Sequence, residues 1–294
     1  SREEDTRHDL YRPAALSHFK ATLDDQGYPL AWHNRIACPS ILKRLFPSAV
    51  KEGIDAQSVE GAIELPYKIP NQRIEYRLVE TGIPVGFWRS VGHSQNAFFI
   101  QSFVDELATY AKIDPLDYQL NLLGNRKRHQ AVLSAAAAIA QWPTRSDQRP
   151  MGLAVHESFG SFCALVVQLA PDVNKQLKVQ RISAAIDCGQ ALNPDTVVAQ
   201  IESSSVYGLT AAYYGDIDIE NGAVKQGNFN DYKMLKLAQM PLVNVEIVNS
   251  GEPVGGIGEP GLPPLAPALC NAIFSATGNR IRRLPLEKAG FTIA

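Results

Sequence analysis

Up to about residue 80, apolar positions come in short, irregularly alternating runs. Turn signals separate them: Asp24-Asp25-Gln26-Gly27, Cys38-Pro39-Ser40 and Pro70-Asn71. Segments such as Ile74–Val79 suit strands, so this stretch reads as a mixed α/β-type region. From residue 97 the period lengthens. Phe99, Phe103, Leu107 and Ala111 recur every fourth residue with Ile100, Val104 and Ala108 beside them, which predicts an amphipathic helix. Asp114-Pro115-Leu116-Asp117 carries an N-cap, a first-turn proline and a capping acid, and opens a short helix ending near Gly124. Arg126-Lys127-Arg128-His129 begins a third helical segment that runs to about Gln141. Basic residues at a helix start oppose the dipole, so this run reads as a solvated face or a contact to an acidic neighbour.

The charged, proline-containing link from Trp142-Pro143 to Pro150 divides the chain into an expected first lobe segment, 1–146, and a second, 147–294. Phe162–Leu169 and Leu177–Ile186 read as partly buried strands. Asn193-Pro194 starts a helix through Ile201 and Val206 in which Gly208 is a close-packing position, and Asn221-Gly222 predicts a tight turn. Val243, Val245 and Ile247 alternate with polar residues as in a half-buried strand, and Pro267 opens a last helix that Gly278 caps. No internal repeat is present.

Composition narrows the function less than the motifs do. Of 294 residues 45% are hydrophobic and 20% charged, with a net charge of −2, which gives no electrostatic case for a nucleic-acid partner. Four dispersed cysteines (Cys38, Cys163, Cys188, Cys270) form no CxxC pair, so neither zinc nor iron–sulfur ligation is suggested, and no residue is assigned as a metal ligand. The first ten residues lack an initiator Met and the apolar core of a signal peptide, as expected for a processed piece or a subunit of a larger protein. Walker A, dinucleotide-fingerprint, HExxH and Gly-x-Ser-x-Gly motifs are all missing.

Gly255-Gly256-Ile257-Gly258-Glu259-Pro260-Gly261 places one carboxylate inside a run of glycines, and prolines follow directly. Glycine lets a backbone approach a ligand closely, and proline then fixes its path. By itself the loop is equally a rigid turn with a solvated glutamate. As a site it would supply a base, provided burial raised the carboxyl toward the working pH. Trp88-Arg89-Ser90-Val91-Gly92-His93-Ser94 precedes the amphipathic helix, so its amides and Arg89 could meet an anionic ligand, or Arg89 could sit in an ordinary surface ion pair. His156-Glu157-Ser158 reads first as polar packing.

Together these motifs resemble the xanthine oxidase family of molybdenum hydroxylases, in the branch of the isoquinoline 1-oxidoreductase beta subunit and related aldehyde dehydrogenases. The resemblance is carried by Gly82–Gly92, Asp187-Cys188-Gly189-Gln190-Ala191-Leu192-Asn193-Pro194, Gln200-Ile201-Glu202 and Gly256-Ile257-Gly258-Glu259-Pro260. Pro66–Asn71, Phe103–Ala108 and His156–Ser161 extend it along nearly the whole chain. It implies an α+β fold, the molybdopterin-binding domain of the molybdenum hydroxylase type, with mixed sheets and packed helices, as part of a larger catalytic unit. It implies Glu259 as the base toward a molybdenum-bound hydroxyl, with oxygen drawn from water, and Arg89 beside the metal centre. It further implies Trp88, Ser90, Val91, Gly92, Gln200, Glu202, Gly256, Ile257 and Gly258 as cofactor-binding positions. One departure stands out: the family's Arg-Gly-Phe-Gly is Arg89-Ser90-Val91-Gly92 here, which loosens any inference to purine substrates.

The resemblance also implies a molybdopterin cytosine dinucleotide shared with a companion polypeptide, because the family's Gly-Gln-Gly pterin loop is absent. Electrons would leave to a small [2Fe–2S] subunit, with a cytochrome c subunit beyond it in aldehyde-oxidising relatives. The substrate would be an aldehyde or an N-heteroaromatic, in a periplasmic or inner-membrane-associated complex. The alternative is a non-catalytic scaffold or assembly subunit of such a complex.

Overall fold

A computed structural model describes residues 1–171 and 175–294. A short helix, α1 (Arg2–Arg7), opens the chain, held by a reciprocal capping box between Ser1 and Glu4. Strands β1 (Leu16–Leu23) and β2 (Pro29–Cys38) pair antiparallel, and β3 (Asn71–Leu78) adds parallel to β2. The β1–β2 turn is the Asp24–Gly27 signal: Asp24 Oδ1 accepts from the Gln26 and Tyr28 amides, and Gly27 has φ +86°.

Parallel pairing of β2 with β3 requires a crossover, supplied by residues 39–70. Asp55, fully buried, organises it by accepting from Ser40 Oγ at 2.6 Å and from the Leu42 and Gln57 amides at 2.9 Å.

Three helices follow: α2 (His93–Ala111), α3 (Pro115–Leu123) and α4 (Lys127–Ala140). The first begins four residues ahead of the expected start. Its buried face carries Ala97, Ile100, Val104 and Ala108, while Phe99, Phe103 and Ala111 flank that face half-buried. Phe103 stacks on Phe19 of β1 at 4.8 Å and meets Trp32 of β2 edge-on at 5.1 Å, which docks the three-stranded sheet on α2. Asp114 caps α3 through the Leu116 amide, with Pro115 in its first turn.

The second half contains β4 (Met151–Ser158), β5 (Ser161–Leu169), β6 (Gln176–Leu177), β7 (Val179–Asp187), α5 (Pro194–Tyr214), β8 (Ile219–Glu220), β9 (Ala223–Val224), β10 (Leu242–Ile247), α6 (Leu265–Thr277) and β11 (Thr292–Ile293). The main sheet runs β10-β7-β5-β4, antiparallel except for the β10–β7 pair that α5 connects. Helices cover both faces. On one, α4 meets Leu153, Val155, Ala164, Val166 and Ala185; on the other, α5 and α6 meet Ala154, Leu165, Val167, Ile182, Ala184 and Ile186. Burial on two faces is why Phe162–Leu169 reads as a continuous apolar run rather than an alternation.

Several expectations shift in detail. The stretch read as one strand, Leu177–Ile186, is two: β6, which pairs with β11, and β7. The last helix starts at Leu265 rather than Pro267, because proline lacks only an amide that a first turn does not use. The sequence reading did not assign β4 as a strand. Residues 142–150 form a 3-10 turn and a loop, and α4 before them covers the sheet that follows. Among the described residues, no helix is long and apolar enough to cross a membrane.

Candidate active site

Two loops and one helix face converge, and glycines permit the approach. Gly255 lies on the β4–β5 hairpin tip: a Cβ there would stand 2.4 Å from Ser161 Oγ and 2.6 Å from Gly160 O. That tip is a two-residue turn with φ +54° at Phe159 and +74° at Gly160, the primed geometry that matches strand twist. It holds the glycine loop through Gly256 N to Phe159 O at 2.8 Å and Ser161 Oγ to Gly256 O at 2.5 Å. Gly255 N donates to Cys188 O just beyond β7, at 2.9 Å. Further on, a Cβ at Gly261 would meet Ile201 Cδ1 at 2.9 Å, so the same loop lies directly on α5.

Arg89 ties the pieces together. Its Nε donates to Gly258 O at 2.8 Å and an Nη also reaches that carbonyl. The other donors go to Ser203 Oγ at 3.0 Å and Gln200 Oε1 at 3.1 Å on α5, and Tyr207 lies under the guanidinium at 5.2 Å. Burial lowers the Arg89 pKa, while Tyr207 and Glu259 oppose that shift. With its donors committed to protein groups, Arg89 is a clamp on the glutamate loop rather than an open anion receptor.

Ser90 stands where the resembled motif carries glycine, and keeps the angle glycine favours, φ +71°; Val91 follows at φ +47°. A β-branched residue with positive φ is a backbone outlier of the kind that clusters at working sites. The bend turns the Ser90 amide onto Glu259 Oε1 at 2.9 Å, and Ser90 Oγ donates to the Glu259 carbonyl at 2.8 Å. Glu259 is half-buried, and its Oε2 takes no hydrogen bond among the described residues.

The predicted positions therefore divide. Arg89, Ser90, Gln200, Gly258 and Glu259 meet, and Gly256 and Ile257 lie in the same loop. Trp88 sits alongside, tilted against Tyr207 at 6.4 Å and capped by Arg12 at 4.4 Å. Gly92 backs onto the crossover, where a Cβ would stand 1.8 Å from Gln57 O. Glu202 is exposed and joins none of these contacts. The sequence reading missed Ser203 and Tyr207, although helical spacing from Gln200 (i, i+3, i+7) puts them on the face where Glu202 does not lie. It also missed Glu60 and the His93–His156 contact, for which no local signal exists.

Ile257, Gly258 and Glu259 present three successive amides with no acceptor among the described residues, on a loop where Gly256 and Gly258 are exposed. Such a run of free donors suits an anionic, oxygen-rich ligand.

The comparisons agree with that chemistry. Residues 1–121 and 101–241 each match a molybdopterin cofactor-binding domain. The isoquinoline 1-oxidoreductase subunit beta of Brevundimonas diminuta is 30% identical over 298 residues, 98% of this chain and 38% of that protein. A membrane-bound aldehyde dehydrogenase [pyrroloquinoline-quinone] of Gluconacetobacter polyoxogenes is 30% identical over 233 residues, 72% of this chain and 30% of that protein. The fold superposes on quinoline 2-oxidoreductase from Pseudomonas putida 86 with a TM-score of 0.80 at 11% identity, over 97% of this chain and 62% of that one. The chain belongs to the xanthine oxidase family of molybdenum hydroxylases, as a molybdopterin cofactor-binding portion of it. It spans well under half the length of these two sequence relatives.

Proposed function

We propose that this chain carries the active-site base of a molybdenum hydroxylase that oxidises an aldehyde or hydroxylates an N-heteroaromatic carbon with oxygen from water. One observation supports this above the rest: Glu259 is gripped at Oε1 by the Ser90 amide, its loop is clamped by Arg89, and Oε2 is left uncommitted. A carboxylate held that way keeps one oxygen free for a proton at a fixed position.

The residues present fit a pterin. The free amides of Ile257 to Glu259 would hold it, with Trp88 alongside and Gln200 engaged through Arg89. When bound, such a group supplies a water-derived oxygen nucleophile and takes up two electrons. Glu259 accepts the proton that this oxygen sheds, and Arg89 keeps the carboxylate from swinging away as it becomes neutral. The glycine run leaves the backbone bare for close approach.

The cofactor is a cytosine dinucleotide form shared with a companion polypeptide. Partners are that polypeptide, a small [2Fe–2S] subunit and a cytochrome c subunit. The relatives' names support a heteromeric assembly, since one is a "subunit beta", and the proposed setting is a periplasmic or inner-membrane-associated complex.

Glu259→Gln in the assembled enzyme tests the reading. Turnover is expected to fall by about 10²- to 10⁴-fold, with molybdenum and pterin content retained by metal and cofactor analysis. Near-normal turnover would remove Glu259 from the chemistry.

A further inference from the structure

Behind the Arg89 clamp and the Ser90–Glu259 contact lies a set of ionisable side chains that this chemistry does not use. Two carboxylates approach the same strained stretch of the arginine loop: the Ser90 amide donates to Glu259, and two residues on the Gly92 amide faces Glu60. Gly92 lies against the same residue: a Cβ there would stand 3.4 Å from Glu60 Cβ. Val91, with its positive φ, lies between the two amides.

Glu60 Oε2 is buried with no hydrogen-bond partner among the described residues, and His93 Nε2 stands 3.9 Å from it. His93 Nδ1 contacts His156 Nε2 at 2.9 Å, so one ring donates and the other accepts. Gly61 makes room for the pair: a Cβ there would lie 2.7 Å from His156 Cε1 and 2.8 Å from His93 Nδ1. Beyond His156 is a cavity of about 20 Å³, lined by His156, His129, Glu157, Tyr67 and Gln101 among others, which is room for one water. His129 Nε2 is buried without a hydrogen bond, 3.4 Å from a Glu157 side chain that is 50% exposed. These groups come from the crossover, α2, β4 and α4, and they run from behind the Gly92 amide to the half-exposed Glu157.

We propose that they form the proton exit path of the enzyme: Glu60 receives the proton collected by Glu259, and His93, His156, a cavity water and His129 deliver it to Glu157 and bulk water. This rests on Glu259 being the base. Each step moves one proton and no electron. The neutral Glu259 carboxyl gives its proton to Glu60, which passes it to His93 Nε2 once a side-chain rotation closes their 3.9 Å gap to hydrogen-bond length; the Nδ1 proton of His93 crosses to His156 Nε2, and the Nδ1 proton of His156 goes to the water. The water hands a proton to His129, which gives one up at Nε2 to Glu157, and the three rings then return to their starting tautomers before the next turnover.

The electrostatics set the resting protonation of these groups. Burial raises Glu60 to about 7, with Asp55 and Glu259 adding to the shift and the Gly92 amide opposing it. Burial lowers His93 to about 4, and lowers His156 well below the usual imidazole value with help from His93 and His129. His129 is lowered to about 4 by burial and by Arg126 and Arg128. Near neutral pH, Glu60 holds a proton part of the time and the imidazoles rest neutral.

The test uses Glu60→Gln, His93→Phe and His129→Ala in the assembled enzyme, with single-turnover and steady-state rates measured side by side. All three are expected to oxidise the first substrate at the wild-type rate but to lose about a hundredfold in steady-state kcat at constant KM, with an enlarged solvent isotope effect. Imidazole in the buffer should restore His129→Ala. Infrared titration adds a readout independent of turnover: a protonated-carboxyl band titrating near neutral pH, present in the wild type and in Glu259→Gln, absent from Glu60→Gln. Wild-type steady-state rates in Glu60→Gln would overturn the relay, as would the missing band or equal loss of first and later turnovers without imidazole rescue. An undiminished first turnover in Glu259→Gln would instead remove the base while leaving the Glu60 band in place.

Discussion

Arg89 shows how a correctly marked residue can hold a different post from the one its motif suggests. Its guanidinium bridges Gly258 O, Ser203 and Gln200, groups that lie 111 to 169 residues away in the chain. No local reading of Trp88–Gly92 could supply those partners, so ligand binding and loop clamping were indistinguishable until the chain folded. A lysine carries its donors on a single nitrogen and cannot span acceptors that Arg89 reaches from Nε, Nη1 and Nη2. Arg89→Lys is therefore expected to lower kcat by roughly 10- to 100-fold while molybdenum content stays near wild type; an unchanged kcat would show that the clamp is dispensable. Val91 offers a second check. Asparagine tolerates its left-handed angle better than a β-branched residue, so Val91→Asn is expected to stabilise the fold by about 1 kcal/mol in urea unfolding, and a loss instead would show that the valine's packing outweighs its strain.

Elements with strong local punctuation were legible in the chain. The Asp114 cap with Pro115, the Asn193-Pro194 start of α5, and the Asn221-Gly222 turn between β8 and β9 all lie where their residues place them. The strand β4 was not legible: Gly152, His156, Glu157 and Ser158 break the apolar pattern that would announce it. Gly152 is there for packing, since a Cβ would lie 2.1 Å from the Ala272 amide nitrogen of α6. Gly152→Ala should destabilise by about 1–3 kcal/mol through overpacking, read as a fall in melting temperature, and an unchanged melting temperature would mean that α6 shifts freely. The basic start of α4 finds the acidic neighbour foreseen as one option. Arg128 reaches Asp187 Oδ2 at 2.6 Å, and the aspartate side chain is 0% exposed. Burial alone would raise that carboxyl, but Arg128, the Gly189 amide and Ser250 outweigh it and hold it below the usual range. Arg128→Met leaves the buried carboxylate without its counter-charge and is expected to cost about 3–5 kcal/mol in denaturant unfolding.

The whole molecule carries a pH signature that depends on which groups it buries. Glu60 is raised to about 7, so its burial weakens the fold as pH climbs from about 4.5 through 7, where the unfolded chain releases the proton first. Glu60→Gln should therefore gain on the wild type across that rise. His93, lowered to about 4, acts in the other direction: the stability present above about 6.5 is lost as pH falls toward 4. His93→Asn should gain on the wild type as the solution is acidified, and parallel curves of urea midpoint against pH would refute both assignments. The same burial sets Glu60 beside the imidazoles, behind the arginine loop.

Hydrophobic periodicity, helix caps and turn residues were enough to place most helices, several strands and the family motifs, because those signals act between residues close in sequence. Glu259 could be singled out the same way, from its glycines. The grip of Ser90 and Arg89 on the glutamate loop, the exclusion of Glu202 and the alignment of Glu60 with three histidines arose from packing. They depend on contacts between residues far apart in the chain, which the order of amino acids does not display until the sheet and its two helical layers bring them together.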